Sequence, residues 1–155
     1  MIDIVLYEPE IPPNTGNIIR LCANVGANLH LIEPLGFKLE DKQLRRAGLD
    51  YHKFVDLKIY KNFAEFYQEN KDKQIWVCTT KAKQYYHQVN FGCDDVLLFG
   101  PETRGLPADV LELLRQTQLK IPMHKNSRSL NLSNSVAVIL YSALNKIGFE
   151  KLGLL

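Results

Sequence analysis

The sequence predicts an α/β domain built on a mainly parallel sheet, with helices on both faces. Short apolar runs at residues 2–7, 29–32, 75–78 and 96–99 have the length and composition of buried strands. Helical periodicity or helix-capping residues follow several of these runs, and such alternation indicates parallel strand pairs. Because ligands of such sheets bind beyond the carboxyl ends of the strands, the loops after the strands are expected to form the functional site.

Composition restricts the possible functions. The 155 residues are 46% hydrophobic, enough for a sizeable core, so we expect a single domain over residues 1–155. The 19 Lys and Arg residues exceed the 17 Asp and Glu residues by only two, so any nucleic acid must bind through a local patch. Cys22, Cys78 and Cys93 contain no C-x-x-C pair, and no metal site is indicated. Without a basic leader or a long apolar run, the protein is expected to be cytoplasmic and not membrane-bound.

The first part of the chain is predicted to form two strands separated by a helix. Ile2–Tyr7 is a short β-rich run. Pro12-Pro13-Asn14 then predicts a rigid turn with Asn14 as a helix cap, since Asn side chains accept hydrogen bonds from the first free N–H groups of a helix. Apolar residues recur at helical spacing until Gly26, a typical helix-ending residue, and Leu29–Ile32 follows as the second strand.

The middle of the chain predicts two helices and a buried strand. Asp41–Gly48 has the pattern of a short, basic, capped helix, and Asn62 is expected to cap a helix whose aromatic residues share one face. Ile75–Cys78 is continuously apolar, which is typical of a strand covered on both sides. Residues 81–93 are polar and are expected to form a loop with at most a short helix.

Two further strands are predicted before the end of the chain. Val96–Phe99 is strongly apolar, and Pro107 suits the first turn of a helix that runs to about Leu114. Leu119–Ile121 is expected to form the last strand, and a final helix starts near Ser133.

This final helix is apolar almost all round. One face carries Val136, Ala137, Leu140, Ala143, Leu144 and Ile147, and the other carries Val138, Ile139 and Tyr141. In a small domain one face can meet the sheet, while little remains to cover the other. We therefore expect a homodimer that buries the second face.

A polar loop follows the strand at residues 96–99. Gly100-x-x-x-x-Gly105 has the spacing of half a P-loop, but Leu106-Pro107 stands where the phosphate-binding Lys would be required. A plain strand-to-helix turn is the simpler interpretation. The functional alternative is that Gly100 allows close approach of a small ligand, with Glu102 at the mouth of the site.

A second polar loop, His124–Leu132, precedes the final helix. Its serines and His124 invite a hydrolase interpretation, but the sequence lacks a Gly-x-Ser-x-Gly elbow. The simpler interpretation is that the hydroxyls and Asn131 cap the helix. Only one or two groups can cap one helix, which leaves others available to a ligand.

Two basic features are candidates for contact with nucleic acid. Asn14 and Arg20 lie on the first helix, beside the expected ligand edge, where they suit phosphate or ribose recognition. The densest basic cluster consists of Lys42, Arg45, Arg46 and Lys53. Either a solvated surface or a patch for the RNA backbone would account for it.

Three motifs, taken together and in order, resemble those of the SPOUT RNA methyltransferases. They are Asn14–Arg20, Leu98–Pro107 and Ile121–Met123 continuing to Ser129–Ser133. The similarity covers nearly the whole chain, and Ser129-Leu130-Asn131 matches the ribose-methylating branch. The compact length resembles minimal members that methylate the 2′-hydroxyl of the cytidine or uridine wobble nucleotide of tRNA.

The resemblance implies S-adenosylmethionine as cofactor, tRNA as partner, a homodimer and a SPOUT-type fold with a C-terminal deep trefoil knot. It places Asn14 and Arg20 at the methyl-acceptor site, and Glu102, Ser129, Leu130 and Asn131 around the cofactor and the reacting ribose. Backbone groups near Cys78, Thr79, Gly100, Ile121, Pro122 and Met123 are expected on the adenosine. RNA contacts are assigned to Arg20, Arg45, Arg46 and Lys53.

A methyl sulfonium is a strong electrophile, so the protein must mainly align the ribose hydroxyl and help to remove its proton. Arg stays protonated in proteins, so we expect Arg20 to bind the neighbouring phosphate and stabilise the developing alkoxide. Direct proton abstraction by Arg20 is the alternative. The alternatives are a non-catalytic RNA-binding module of the same fold and a small-molecule α/β enzyme. Binding of S-adenosylmethionine separates the first from the enzyme, and failure to bind RNA would support the second.

Overall fold

The computed structural model describes residues 1–40, 42, 44, 46 and 55–155. The strands are β1 (Asp3–Tyr7), β2 (Asn28–Ile32), β3 (Leu57–Tyr60), β4 (Ile75–Cys78), β5 (Gln84–Tyr85), β6 (Val96–Phe99) and β7 (Gln118–Lys120). The helices with fully described bounds are α1 (Pro12–Val25), α2 (Phe63–Asn70), α3 (Ala108–Leu113) and α4 (Leu132–Ile147).

All of these strands belong to one sheet, in the order β3-β2-β1-β6-β4-β7-β5, and all neighbouring pairs are parallel. Alternate side chains divide the core between the two faces. Ile4 and Leu6 pack in the layer of α1 and α4, whereas Val5 packs with Phe66 of α2 and Val110 of α3. The predicted parallel α/β sheet with helices on both faces is confirmed.

The start of α1 differs from the prediction. The helix begins at Pro12, where a missing N–H costs no helical hydrogen bond, and Ile11 precedes it without a side-chain cap. The prediction of Asn14 as the cap is therefore wrong. Asn14 lies in the first turn, buried, and its side chain is used for contacts with distant segments. Gly26 ends the helix in a left-handed conformation, with φ of 70°, as predicted.

The other predicted caps are confirmed. Asn62 accepts a hydrogen bond from the backbone N–H of Glu65 at 2.9 Å, and Asn131 accepts one from the N–H of Asn134 at 3.3 Å. These side chains satisfy N–H groups that have no partner inside the helix.

Strands β3 and β5 were not predicted. β3 is an edge strand with the charged residue Lys58 in it, so its apolar pattern is interrupted. β5 has two residues and exists through its pairing with β7. A single short 3-10 turn, Tyr86–Gln88, follows it, in agreement with the expected short helix within residues 81–93.

The predicted helix over residues 41–48 is only partly described. Lys42, Leu44 and Arg46 are helical, with Leu44 buried and the two cations exposed. Arg45 and Lys53, both predicted to contact RNA, lie outside the described residues.

Helix α4 is less apolar on its outer side than predicted. Ile139 was assigned to the outer face, but it is buried in the core. Val138 and Tyr141 are exposed, at 39% and 46%.

Among the described helices, none has the length and apolar character needed to cross a membrane.

The amino end of the sheet holds a buried carboxylate. Asp3 accepts hydrogen bonds from Nζ of Lys73 at 2.6 Å and Nδ2 of Asn28 at 2.7 Å, and Nε2 of His30 lies 3.7 Å away. The imidazole of His30 also packs near the ring of Tyr60. These contacts indicate a structural role for His30.

Candidate active site

A cavity of about 510 Å³ opens beyond the carboxyl ends of β4, β6 and β7. Its walls come from Cys78–Lys81 after β4, Phe99–Leu106 after β6, and Lys120, Ile121 and Met123 at the end of β7 and after it. Residues 128–132, just before and at the start of α4, close another side. Both the location and the size are typical of small-molecule sites in parallel sheets.

The carboxylate of Glu102 is fully engaged by the segment that enters α1. Its Oε2 accepts from the backbone N–H of Glu10 at 2.8 Å, and its Oε1 accepts from the N–H of Ile11 at 3.1 Å. Nδ2 of Asn14 donates to the same Oε1 at 3.2 Å. Glu102 thus ties a distant loop to the backbone just before α1 and to the first turn of the helix.

Asn14 also contacts the loop before α4. Its Oδ1 accepts from Nδ2 of Asn131 at 2.9 Å, and Oδ1 of Asn131 accepts from Oγ of Ser133 at 2.7 Å. Each amide therefore has its donor and acceptor ends fixed by neighbours. Glu102, Asn14 and Asn131, which we call the carboxylate-amide chain, join three segments that lie far apart in sequence.

A second set of contacts joins the loop after β6 to the segment between β1 and α1, beside the carboxylate-amide chain. Oγ1 of Thr103 donates to the carboxylate of Glu10 at 2.7 Å, and the guanidinium of Arg104 pairs with Glu8 and Glu10. Glu8 has φ of 45°, in the left-handed region that non-glycine residues rarely adopt. The local strain at Glu8 is thus held in place by contacts from the loop after β6.

Gly100 is required by the loop itself. A Cβ at this position would lie 2.7 Å from the backbone nitrogen of Leu106 and 2.9 Å from the carbonyl carbon of Gly105. The loop folds back over Gly100 so closely that no side chain fits. This packing explains the glycine whether or not a ligand approaches it.

The inner wall of the cavity is largely apolar. Ile121, Leu106 and Ile139 line it together with Cys78. Burial raises the pKa of the Cys78 thiol well above its ordinary value. The thiol is therefore neutral at physiological pH and is part of the apolar wall rather than a nucleophile.

The serines near α4 serve the helix end. Oγ of Ser133 donates to Asn131, and Oγ of Ser135 donates to the carbonyl of Asn131 at 3.1 Å. Nδ1 of His124 accepts from the backbone N–H of Asn126 at 3.4 Å. No serine hydroxyl is bonded to His124 in the described part of the chain.

Most residues predicted for the site meet at this cavity. Those that line it are Asn14, Cys78, Thr79, Gly100, Glu102, Ile121, Met123, Ser129, Leu130 and Asn131. Pro122 is exposed and does not line it. Arg20 and Arg46 are also exposed and outside the cavity lining.

Several residues at the cavity were not predicted from the sequence. Thr103 and Arg104 lie inside a recognised motif, but their partners Glu8 and Glu10 are more than 90 positions away. Lys81 lies in the loop after β4, and Lys120 is the last residue of β7, so both line the cavity. The rule that ligands bind at the carboxyl ends of strands would have identified both lysines. Within the described residues, no group of His, Cys, Asp and Glu side chains is arranged to hold a metal ion.

Comparison with known proteins finds relatives that match this chain over nearly its whole length. A relative in Aeromonas hydrophila, a tRNA (cytidine(34)-2′-O)-methyltransferase, is 53% identical over 150 residues that cover 96% of each chain. A protein solved for insight into 2-OH methylation of C/U34 on tRNA superposes with a TM-score of 0.91, at 43% identity over 95% of this chain and 96% of its own.

A more distant structure shares the fold alone. The SpoU methyltransferase AviRb from Streptomyces viridochromogenes, solved in complex with AdoMet, has a TM-score of 0.84 and 22% identity, covering 93% of this chain and 57% of its own. The profile of the SpoU rRNA methylase family matches residues 1–141, which include all three motifs around the cavity. The chain therefore belongs to the SpoU rRNA methylase family.

Proposed function

We propose that this protein transfers a methyl group from S-adenosylmethionine to a ribose 2′-hydroxyl of tRNA, at a wobble cytidine or modified uridine. The observation that carries the proposal is the carboxylate-amide chain, which gathers the three family motifs around one cavity. The activity named for the relative from Aeromonas hydrophila supports the choice of nucleotide. We assign the activity to residues 1–155 as a single SPOUT methyltransferase domain.

The cavity fits S-adenosylmethionine in size and chemistry. Its volume of about 510 Å³ lies in the range of cofactor sites. The apolar wall formed by Ile121, Leu106 and Ile139 suits an adenine ring, and the segments after β4 and β7 line the same cavity. When bound, the cofactor supplies a methyl group that is already activated as a sulfonium.

The protein's own residues then have to position the acceptor. Asn131 and Ser129 lie at the cavity, and the fixed amide of Asn131 is suited to orient a ribose. Glu102 acts as a positioning residue, because both of its oxygens already accept hydrogen bonds from the segment before α1 and from Asn14. Alignment of this kind supplies most of the rate enhancement when the electrophile is already reactive.

Arg20 is proposed to reach the cavity of a second subunit. In its own chain, it lies on the exposed side of α1 and does not line the cavity. A homodimer that pairs the outer surfaces of α1 and α4 would bring it to the partner's ribose and neighbouring phosphate. We also propose that the loops after Cys78, Phe99 and Ile121 form the deep trefoil knot that the resemblance implies, an exception to the general absence of knots.

The function is tested by transfer of labelled methyl groups into total tRNA, followed by digestion to locate the modified ribose. Label at the 2′-oxygen of the wobble nucleotide is the expected result. If S-adenosylmethionine bound by calorimetry but no label entered tRNA, the substrate assignment would be wrong. If S-adenosylmethionine did not bind at all, the non-catalytic RNA-binding alternative would replace the enzyme.

Arg20→Ala is expected to lower methyl transfer about 10- to 100-fold, the effect of losing one charge-assisted contact with the substrate. The trans arrangement gives a sharper test. An Arg20→Ala chain mixed in equal amount with an Asn131→Ala chain should recover about a quarter of wild-type activity, since one site in half of the dimers is intact. If Arg20 acted within its own chain, the mixture would stay inactive.

The dimer itself is expected to depend on the exposed strip of α4. Tyr141→Glu places a charge in the exposed strip that Tyr141 and Val138 form. Glu150→Lys changes an exposed residue in the 3-10 turn that follows α4. Sedimentation at micromolar concentration should show a dimer for the wild type and Glu150→Lys, and a monomer for Tyr141→Glu. A monomeric wild type would refute the proposed dimer.

A further inference from the structure

The cations around the cavity fall into two groups. Arg104 is paired with Glu8 and Glu10. Lys81, Lys120 and Arg128 also line the cavity, but none of the three forms an ion pair with a carboxylate in the described part of the chain. We call these three residues the cationic rim. Among the residues that the structure describes, no carboxylate neutralises these charges, so the rim can attract an external anion.

The sheet order separates this rim from the acidic side of the site. Lys81 follows β4 and Lys120 ends β7, whereas Glu8 and Glu10 follow β1, and Glu102 follows β6. Strands β1 and β6 are neighbours, and β4 and β7 are neighbours on the other side of β6. Glu102 lines the cavity, whereas Glu8 and Glu10 lie outside its lining and are partly offset by Arg104. The three carboxylates still exceed the one cation on the β1–β6 side, and the cationic rim lies on the β4–β7 side. An anionic chain is guided to the β4–β7 half.

Lys120 is also held by an aromatic stack. Its Nζ lies 5.1 Å from the ring centre of Tyr85. The ring of Tyr85 in turn stacks on the imidazole of His87, with an interplanar angle of 14° and 5.7 Å between the ring centres. Tyr85 and Lys120 are paired across β5 and β7, so the register places them side by side. A lysine fixed in this way loses less conformational freedom when it binds an anion.

We propose that the cationic rim binds the RNA backbone at the phosphates beside the methyl acceptor. This inference rests on the proposed function and adds a substrate-binding surface to the same site. The cofactor carries a single carboxylate, which could engage one cation, whereas three unneutralised cations along a cavity mouth match a run of phosphates. The overall charge of +2 makes such a local patch necessary for RNA binding.

The experiment compares two double variants with the same change in charge. Lys81→Gln/Lys120→Gln removes two cations of the rim, and Lys71→Gln/Lys151→Gln removes two exposed lysines outside the cavity lining. Binding of 5′-labelled tRNA is measured by fluorescence anisotropy over a range of salt concentrations, and binding of S-adenosylmethionine is measured by calorimetry.

The rim variant should bind tRNA about 10-fold more weakly, with the slope of log K against log salt reduced by about 1.4, the value for two contacts to single-stranded phosphates. Its affinity for S-adenosylmethionine should match that of the wild type. The control variant should show the wild-type slope, apart from a small uniform loss. Equal slopes for the two variants would overturn the proposal. So would weaker binding of S-adenosylmethionine with unchanged tRNA binding, since the cations would then serve the cofactor carboxylate.

A second pair of variants tests the aromatic support. Tyr85→Phe keeps a ring beneath Lys120, whereas Tyr85→Leu removes it. The KM for tRNA should rise about threefold in Tyr85→Leu only, without a change in kcat, as expected for a contact worth somewhat less than a tenfold effect. Equal KM values for Phe and Leu would show that the stack does not position Lys120. If the wild type methylates tRNA and these variants behave like it, the rim proposal fails while the proposed function stands.

Discussion

Glu102→Ala is expected to lower kcat for methyl transfer by about 100-fold, a typical result of misplacing the groups that align reactants. The substitution removes the acceptor for the N–H groups of Glu10 and Ile11 and for the amide of Asn14. Asn14 is then free to turn, and Asn131 loses a partner of fixed orientation. Steady-state kinetics with tRNA and S-adenosylmethionine measure the loss. Glu112→Ala, which removes an exposed carboxylate that pairs with Arg115 outside the cavity lining, is the matched control.

Glu102→Gln separates positioning from base catalysis. A Gln oxygen can keep the bonds from Ile11 and Asn14, but its NH2 group would face the N–H of Glu10. A positioning role therefore predicts activity between those of the wild type and Glu102→Ala, with an unchanged pH profile. Complete inactivity of Glu102→Gln in a folded protein would instead identify Glu102 as the base.

Asp3→Asn is expected to lower the free energy of unfolding by about 2 kcal/mol at neutral pH, the typical effect of losing charge-assisted hydrogen bonds, reduced because Lys73 is 40% exposed. Burial alone would raise the pKa of Asp3. The nearby His30 and the hydrogen bonds from Lys73 and Asn28 outweigh burial and hold this pKa well below its usual range. The charged carboxylate is therefore favoured in the folded state.

The direction of the pH dependence follows from this shift. Because the folded pKa is lowered, the contribution of Asp3 is complete above the unfolded pKa of about 3.9 and decreases as the pH falls toward the folded value. Urea unfolding should thus show a difference between wild type and Asp3→Asn at about pH 7 that shrinks below about pH 4. Asp94→Asn, an exposed neighbour at the same end of the sheet, should leave the midpoint unchanged. A difference independent of pH would contradict the role of the ionised carboxylate.

The helices and strands show why local pattern was sufficient for most of the fold. β4 and β6 are short, continuously apolar and covered on both faces, so their sequences carry an unambiguous signal. Asn62 and Gly26 act within their own helix ends, where capping chemistry depends on residues a few positions apart. By contrast, β5 has little local preference of its own and depends on its pairing with β7.

Asn14 shows how a local pattern can predict the wrong role for a side chain. Its position before an apolar helical pattern resembles a helix cap, and a cap was the natural prediction. In the fold, α1 starts earlier, at Pro12, and the carboxylate of Glu102 takes up the N–H groups at its entrance. The amide of Asn14 is thereby released to bridge Glu102 and Asn131.

The sequence by itself determined the fold class, most of the element order, and the three motif segments that supply the cavity walls, because these depend on periodicity, turn residues and local capping. Tertiary structure alone decided how the motifs act on one another. The bonds from Asn14 to Glu102 and from Asn131 to Asn14 span 88 and 117 positions, and no local pattern encodes them. The separation of the cationic rim from the acidic half likewise arises from strand order, which brings distant residues to one edge of the sheet.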